Sequence, residues 1–311
     1  MTTLIEVQHV TTYRYAKPVT FGEHRLVFRP RPGHDIRVLN ASVDVSLRSD
    51  TRWVLDVFSN DVMIITPWGS ADHLRVACRF TIAHEGVHPI ELPIVPHAER
   101  YPFDYSPDEV ADLGALLRPH YPDPEGLLYQ WLRQFFQYES RPRTRELLIA
   151  ITNAIKNQFI YIERDSEGTQ TPHETLKLGS GSCRDFALLM MEAVRRLGLA
   201  ARFVTGYLYN PSIDGEGGEL VGAGATHAWL HVYLPGSGWV GFDPTNSIFG
   251  GSSLIRVAYT RDPSQAAPLT GSWYGDTGVY LGMDVEVKVE RLDSPSGVMV
   301  TEDAVVHAGN N

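Results

Sequence analysis

The sequence of 311 residues contains only two cysteines, Cys78 and Cys183. Two cysteines cannot form a disulfide framework, and such sparse use is typical of a reducing compartment. No uninterrupted apolar run reaches about 18 residues, so the sequence predicts no membrane-spanning helix. Residues 1–6 also lack the basic and apolar regions of a secretory signal peptide. We therefore expect a cytoplasmic protein with no membrane partner.

The sequence also lacks a block of basic residues. Its 27 Lys and Arg residues are outnumbered by 37 Asp and Glu residues, which gives a formal net charge of −10. This acidic balance disfavours nucleic acid and anionic membranes as partners. The hydrophobic share of 43% and the charged share of 21% are ordinary for a globular protein, and the length suits about two domains.

Residues 1–97 carry short apolar runs separated by turn signals, a pattern typical of β-strands. The first predicted strand covers residues 4–10. Cys78 alternates with Val76 and Phe80, which predicts that this thiol lies in a core. A proline-rich stretch from residue 89 to residue 107 follows and is interpreted as a linker. We predict an N-terminal β-sandwich-like domain over residues 1–97.

Residues 98–311 form the second predicted domain, and its class is α+β. Its first part repeats apolar residues at helical spacing in three segments, 108–118, 126–137 and 145–158. Its later part carries strand-like runs at 200–208, 226–234, 239–245, 254–259 and 283–292. The stretch 210–224 is rich in glycine and acidic residues, which predicts a flexible loop. This order of elements predicts helices packed on an antiparallel sheet.

A run of glycine and serine at residues 179–182 changes abruptly into an amphipathic helical pattern. Ser182 is the predicted N-cap, and Asp185, three residues later, resembles the acidic member of a capping box. Cys183 is then the first helical residue, where free backbone N–H groups and the helix dipole favour the thiolate. Because the thiolate is the nucleophilic form, Cys183 is the candidate catalytic thiol. The competing interpretation is a buried cysteine that only packs.

A catalytic thiol needs a histidine to move its proton and a carboxylate or amide to orient that histidine. A strictly alternating strand presents His227 on the same face as Trp229 and His231. Asp243 lies on the following strand. Cys183, His227 and Asp243 are therefore the candidate catalytic residues, and backbone N–H groups at the helix start are candidate oxyanion donors.

The hairpin between these two strands must bring His227 and Asp243 to the same face of the sheet. A plain four-residue turn pairs Leu234 with Trp239 and directs Asp243 away from the imidazole. A five-residue turn, or a bulge, places Asp243 opposite Trp229 and diagonal to His227, with Cα atoms about 7–8 Å apart. We therefore predict an odd register or a bulge in this hairpin.

Several stretches resemble the bacterial branch of the transglutaminase-like superfamily, whose core is similar to that of papain-type cysteine proteases. The motifs that carry the resemblance are 181–187, 201–207, 227–229 and 238–246, together with the N-terminal stretches 9–15 and 28–32. The resemblance implies a papain/transglutaminase-like core that needs no cofactor. It also implies that Cys183 is the nucleophile, His227 the base and Asp243 the group that orients the base.

Members of this superfamily cross-link a glutamine side chain to an amine, deamidate it or cleave a peptide bond, in each case through a thioester. The resemblance therefore implies a protein or peptide substrate. Trp229 and Trp239 are candidate substrate-binding residues, with core packing as the competing interpretation. The family usually has an acidic residue two positions after the first of these tryptophans, whereas this chain has His231 there.

Two other functions compete with cysteine catalysis. Cys183, His227, His231 and Asp243 are all residue types that bind zinc, although no paired-cysteine motif accompanies them. A non-catalytic binding module on the same fold is the second alternative, because a fold does not imply a function.

Overall fold

The computed structural model describes residues 2–85, 93–164, 168–210, 220–222, 224–250, 253–292 and 305–308, the last of these as backbone only. A large sheet built mainly from N-terminal strands packs against a smaller sheet that carries the helices. Within these residues, no helix is both long and apolar enough to cross a membrane.

The elements follow one another in four groups along the chain. The first group contains the strands β1 Thr3–Leu26, β2 Ile36–Val45, β3 Ser49–Leu55, β4 Asp61–Pro67 and β5 Ser70–His84. The second contains the helices α1 Pro107–Leu113, α2 Leu127–Leu132 and α3 Thr144–Gln158. The third contains β6 Ile160–Tyr161, α4 Pro172–Leu178, β7 Ser180–Gly181, α5 Cys183–Arg196, β8 Ala201–Leu208, β9 Thr226–Leu234, β10 Gly238–Asp243, β11 Ile248–Phe249 and β12 Leu254–Thr260. The last contains β13 Leu269–Tyr274, β14 Tyr280–Leu292 and β15 Val305–Ala308.

β1 is much longer than the sequence predicts, because it does not end at residue 10. Pro18 does not terminate the strand. The ladder with β5 shifts register between Arg14 and Val19, and a proline at such an irregularity removes no ladder hydrogen bond. The first part of β1 pairs with β5 and β14, and its last part pairs with β4 and β13. One long strand therefore serves two regions of the sheet.

The predicted β-sandwich-like character of the N-terminal region is confirmed by its core. Both ends of the curled sheet contribute buried side chains to one cluster, among them Phe21, Val43, Met63 and Val76. Cys78 belongs to the same cluster, as its alternation predicts. Burial in this apolar setting raises the pKa of the Cys78 thiol above its usual range.

The C-terminal strands join the N-terminal sheet rather than the sheet of the helical region. β13 and β14 pair antiparallel with β1, and β15 pairs parallel with β2. Of the two C-terminal segments predicted as strands, only β12 belongs to the smaller sheet, where it pairs with β8. The predicted division after residue 97 stays a prediction, but the last strands of the chain extend the first sheet.

The smaller sheet has five strands in the order β11-β10-β9-β8-β12, and every neighbouring pair is antiparallel. The alternation of β9 is as predicted: Ala228, Leu230, Val232 and Leu234 pack together with the apolar side chains of α5. The helices therefore lie on an antiparallel sheet, which confirms the predicted α+β core. This packing fixes the position of α5 relative to β9.

Two of the three predicted helices, α1 and α2, are shorter than the periodicity predicts, whereas α3 agrees with its predicted segment 145–158. α1 ends at Gly114, whose φ of +42° is not helical, and a 3₁₀ turn continues to residue 117. α2 likewise changes into a 3₁₀ turn at residues 133–136. Apolar spacing alone does not distinguish a continuous α-helix from an α-helix followed by a 3₁₀ turn.

The two sheets meet at an apolar interface that contains one buried polar network. Tyr207 of β8 packs with Ile5, Val7 and Phe80 of the large sheet. The hydroxyl of Tyr207 lies 2.8 Å from Nδ1 of His9, whose Nε2 lies 3.2 Å from Thr11 Oγ1. Burial lowers the pKa of His9 to about 4. The neutral imidazole therefore belongs to the folded interface.

Acidification should weaken the fold through His9. Because its folded-state pKa of about 4 lies below the ordinary histidine value of 6.5, its contribution is complete above pH 6.5 and is lost as the pH falls toward 4. Between pH 7 and pH 5 this one group should lower the free energy of unfolding by about 2 kcal/mol. Urea unfolding should show a smaller acid sensitivity for His9→Gln than for wild type, while the exposed His34→Gln control keeps the wild-type sensitivity.

Candidate active site

α5 begins at the thiol, and its start has the predicted capping geometry. Ser182 is the N-cap, and Cys183 is the first helical residue. The backbone N–H and the hydroxyl of Ser182 donate to Asp185 Oδ2 at 2.8 and 2.9 Å. The side chain of Cys183 is largely buried, with 8% of the residue exposed. The thiol therefore lies at the positive end of a helix that packs in the core.

Asp185 also ties the start of α5 to the preceding loop. Its Oδ1 accepts a hydrogen bond of 2.7 Å from the backbone N–H of Gln170, and Arg164 forms an ion pair with it at 3.2 Å. Gly181 is required at this point, because a Cβ there would lie 2.8 Å from Cβ of Asp185. The sequence indicates the capping role of Asp185 but not these longer-range contacts.

His227 and Asp243 meet as the predicted register requires. β9 and β10 pair Leu234 with Gly238 and Leu230 with Phe242, so the position after Phe242 is opposite Trp229. Asp243 is then diagonal to His227, and its Oδ2 accepts a hydrogen bond of 2.8 Å from His227 Nε2. The odd register is confirmed, although the turn itself has three residues rather than five, because Gly238 already pairs with Leu234.

The environment keeps this buried pair charged. Burial alone lowers the pKa of His227, but the Asp243 carboxylate and the neighbouring Cys183 raise it to about 10. Burial raises the pKa of Asp243, whereas His227, Asn246 and the backbone N–H of Thr245 together hold it below its usual range. His227 Nδ1 has no hydrogen-bond partner within the described part of the chain. That nitrogen is the one left for the thiol.

The Asp243 carboxylate is held by two residues that follow β10, Thr245 and Asn246. The backbone N–H of Thr245 donates to Oδ1 at 2.9 Å, and Asn246 Nδ2 donates to Oδ2 at 3.0 Å. Asn246 belongs to the sequence motif 238–246, but the motif alone indicates no role for it. Its position three residues after Asp243 is the signal that could have identified it, since polar side chains at such short spacing often bond locally.

Trp229 lies behind the imidazole rather than in an open acyl site. It is 1% exposed, and its ring stacks on His227 with 6.1 Å between centroids and 25° between planes. A Cβ at Gly206 would lie 2.9 Å from the indole, so the neighbouring strand approaches it closely. Burial leaves almost no surface of Trp229 for a substrate to contact. This favours the competing interpretation, core packing.

Trp239 and His231 lie away from His227, toward the other end of β9. The Arg202 guanidinium stacks 4.2 Å from the Trp239 ring and donates to His231 Nδ1 at 3.3 Å. Trp239 lines a separate cavity of about 410 Å³ with Tyr233 and Tyr259. The structure therefore does not bring Trp239 to the thiol. It also does not bring His231 to His227, and it shows no cluster of metal-ligating side chains within the described ranges.

Two models of known protein families match separate parts of the chain. Residues 129–244 match the model of the transglutaminase-like superfamily, and residues 5–83 match that of the bacterial transglutaminase-like N-terminal region. Together the two matches cover more than half of the sequence, and the first contains Cys183, His227 and Asp243. The chain belongs to the transglutaminase-like superfamily. Its fold is therefore one that cysteine-based enzymes use.

Individual relatives match over limited lengths. An uncharacterised protein of Mycobacterium leprae is 32% identical over 148 residues, which are 48% of this chain and 51% of that protein. A protein-glutamine gamma-glutamyltransferase of Pseudomonas aeruginosa is 35% identical over 77 residues, which are 22% of this chain and 10% of that protein. The chain thus spans about half the length, or less, of these curated relatives.

A solved structure matches almost the whole fold. The crystal structure of a "Putative Cysteine Protease" from Cytophaga hutchinsonii covers 96% of this chain and 93% of its own length, with a TM-score of 0.67 and 20% sequence identity. At this identity the match concerns the fold. The two proteins thus share the arrangement of the N-terminal sheet and the core.

Gly222 borders the free nitrogen of the imidazole. A Cβ at this position would lie 3.0 Å from His227 Nδ1, and the Tyr161 hydroxyl is 3.9 Å from the same point. Gly222 belongs to the loop predicted to be flexible, of which residues 211–219 and 223 lie outside the described residues. The described part of the loop brings main chain close to the imidazole nitrogen that does not bond Asp243.

Gly222→Ala should slow the reaction of Cys183 with iodoacetamide at pH 7 by about tenfold or more, because the methyl group crowds His227 Nδ1. The φ of Gly222 is +85°, so part of the effect is backbone strain. Gly224→Ala is the matched control, since Gly224 has a φ of +82° but no heavy atom within 4 Å of its Cβ position. Equal rates for the two variants would contradict the steric role.

Proposed function

We propose that this chain is a thiol-dependent enzyme that transfers or hydrolyses acyl groups at amide bonds of proteins or peptides. The observation that carries the proposal is the buried His227–Asp243 pair, whose other imidazole nitrogen is left for Cys183. An imidazole between a carboxylate and a thiol is the arrangement that cysteine catalysis requires. Because its pKa is raised to about 10, the imidazole is protonated at neutral pH and is the counter-ion for a thiolate.

In the first half-reaction, the Cys183 thiolate attacks the carbonyl carbon of the amide, and a C–S bond forms. N–H groups of the first turn of α5 stabilise the negative charge on the carbonyl oxygen, because these groups have no acceptor within the helix. His227 donates its Nδ1 proton to the amide nitrogen. The C–N bond then breaks, ammonia or an amine leaves, and a thioester remains.

In the second half-reaction, the neutral His227 accepts a proton from water or from a primary amine, which attacks the thioester carbonyl. The C–S bond breaks, and the thiolate forms again beside the imidazolium. Attack by water yields a carboxylic acid, whereas attack by an amine yields a new amide. Asp243 stays ionised through both steps and keeps the imidazole aligned.

The substrate class in this proposal is a protein or peptide amide. The Pseudomonas aeruginosa relative is named for transfer at protein glutamine, although it matches over a small part of its length. A glutamine side chain is therefore the first amide to test, together with the peptide bond. No nucleic acid is proposed as a partner, since the net charge is −10.

Cys183 should react with iodoacetamide at pH 7 at least about tenfold faster than Cys78. An ordinary thiol with a pKa near 8.5 is only about 3% ionised at this pH. Burial raises the pKa of Cys78 further, whereas Cys183 lies at the start of α5 beside the His227 imidazolium. Peptide mapping of the folded protein measures both sites. Preferential labelling of Cys78 would refute a catalytic thiol, and Cys183→Ser serves as the control for site assignment.

Activity should be detected by mass spectrometry of a peptide library incubated with and without a primary amine. A mass change of +1 Da reports deamidation, a new amide reports transamidation, and shorter products report peptide cleavage. Cys183→Ala should abolish all three, whereas Asp243→Asn should retain measurable turnover, because an amide oxygen still accepts from the imidazole. If the folded Asp243→Asn variant is as inactive as Cys183→Ala, the orienting role assigned to Asp243 is wrong.

A further inference from the structure

Asn246 makes three hydrogen bonds that connect Asp243 to Val221, a residue of the loop beside His227. Its Nδ2 donates to Asp243 Oδ2 at 3.0 Å and to the carbonyl oxygen of Val221 at 3.1 Å. Its Oδ1 accepts from the backbone N–H of Val221 at 2.9 Å. We propose that Asn246 is a positioning residue that holds Asp243 on His227 and holds Val221–Gly222 beside the imidazole. This inference rests on the proposed function.

The first part of this role follows from the contacts of the carboxylate. Asp243 Oδ2 accepts from both His227 Nε2 and Asn246 Nδ2, while Oδ1 accepts from the backbone N–H of Thr245. Asp243 is completely buried, so water does not replace a lost partner freely. Without the amide donor, Oδ2 keeps only His227 and Oδ1 keeps only the backbone N–H of Thr245, so the carboxylate is held less firmly against the imidazole.

The second part of this role follows from chain connectivity. The amide of Asn246 holds both backbone groups of Val221, and Gly222 is the next residue. Because a Cβ at Gly222 would already lie 3.0 Å from His227 Nδ1, the position of this main chain decides how much space the nitrogen has. The Asn246 side chain therefore positions groups on both sides of the imidazole. Asp243 lies at Nε2, and the main chain of Val221–Gly222 lies near Nδ1.

The chain offers a control in Asn60, whose side-chain amide makes the same three bonds as that of Asn246 and one more, in which Oδ1 accepts from Arg31 Nη1 at 3.2 Å. Asn60 Nδ2 donates to Asp56 Oδ2 at 2.9 Å and to the carbonyl oxygen of Tyr259 at 2.8 Å. Its Oδ1 accepts from the backbone N–H of Tyr259 at 3.0 Å. Loss of Asn60 therefore removes an equivalent structural link without affecting His227.

The test measures the alkylation rate of Cys183 by iodoacetamide from pH 4 to pH 9 in the full chain, together with Tm. In Asn246→Ala, the Asp243 carboxylate loses one hydrogen bond and holds the imidazolium less firmly. The pH midpoint of the alkylation rate should therefore rise by about one unit, as expected for loss of a hydrogen bond to a charged group. Asn246→Asp should shift it at least as far, because a carboxylate cannot donate to Asp243 and opposes the thiolate. Asn60→Ala and Asn60→Asp should lower Tm and keep the wild-type midpoint.

Three other results would overturn the proposal. A wild-type midpoint in both Asn246 variants, with Tm lowered as in the Asn60 variants, would show a structural role alone and overturn the proposal. Unfolding of both Asn246 variants, while both Asn60 variants fold, would do the same. If wild-type Cys183 alkylates like an ordinary free thiol, the proposed function fails first, and this inference fails with it.

Discussion

The hydrogen bond between His227 Nε2 and Asp243 Oδ2 is the interaction on which the site depends. Burial opposes the charge on both side chains, and each keeps the other ionised. A buried ion pair of this kind contributes little net stability, because desolvation offsets the attraction between its charges. Its value lies in orientation: with Nε2 occupied, Nδ1 is the nitrogen left for Cys183. The offset register of β9 and β10 is what makes this bond geometrically available.

The thiol and the imidazole come from different elements, so their relative position depends on core packing. α5 and β9 share one apolar cluster, in which the inward face of β9 lies against the helix. Protein interiors are close-packed, and a shift of either element would open a gap or create a clash. Asp185 adds a polar anchor at the helix start, where it binds Ser182, Gln170 and Arg164. The site is therefore held by a packed core below it and by a buried carboxylate at the helix start.

His231 occupies the position where the family usually has an acidic residue. In this chain its neutral imidazole accepts from Arg202, which also stacks on Trp239 and Tyr259. Burial and the neighbouring arginines lower the pKa of His231 well below its usual range, so it adds no second charge beside Arg202. The position supports the sheet around β8 and β9 and lies apart from the candidate catalytic residues.

Much of this protein follows from local pattern in the sequence alone. The capping box at Cys183 and the strict alternation of β9 depend on neighbouring residues, and each is confirmed. The odd register of the hairpin is also confirmed, but its prediction came from the requirement that His227 and Asp243 share a face. Other features depend on partners distant in the sequence, and only the tertiary structure decided them: the length of β1, the pairing of the last strands with it, and the burial of Trp229. The bonds from Asn246 to Val221 belong to this second group. Periodicity determines which face a side chain occupies, whereas its partners across the fold depend on how whole elements pack.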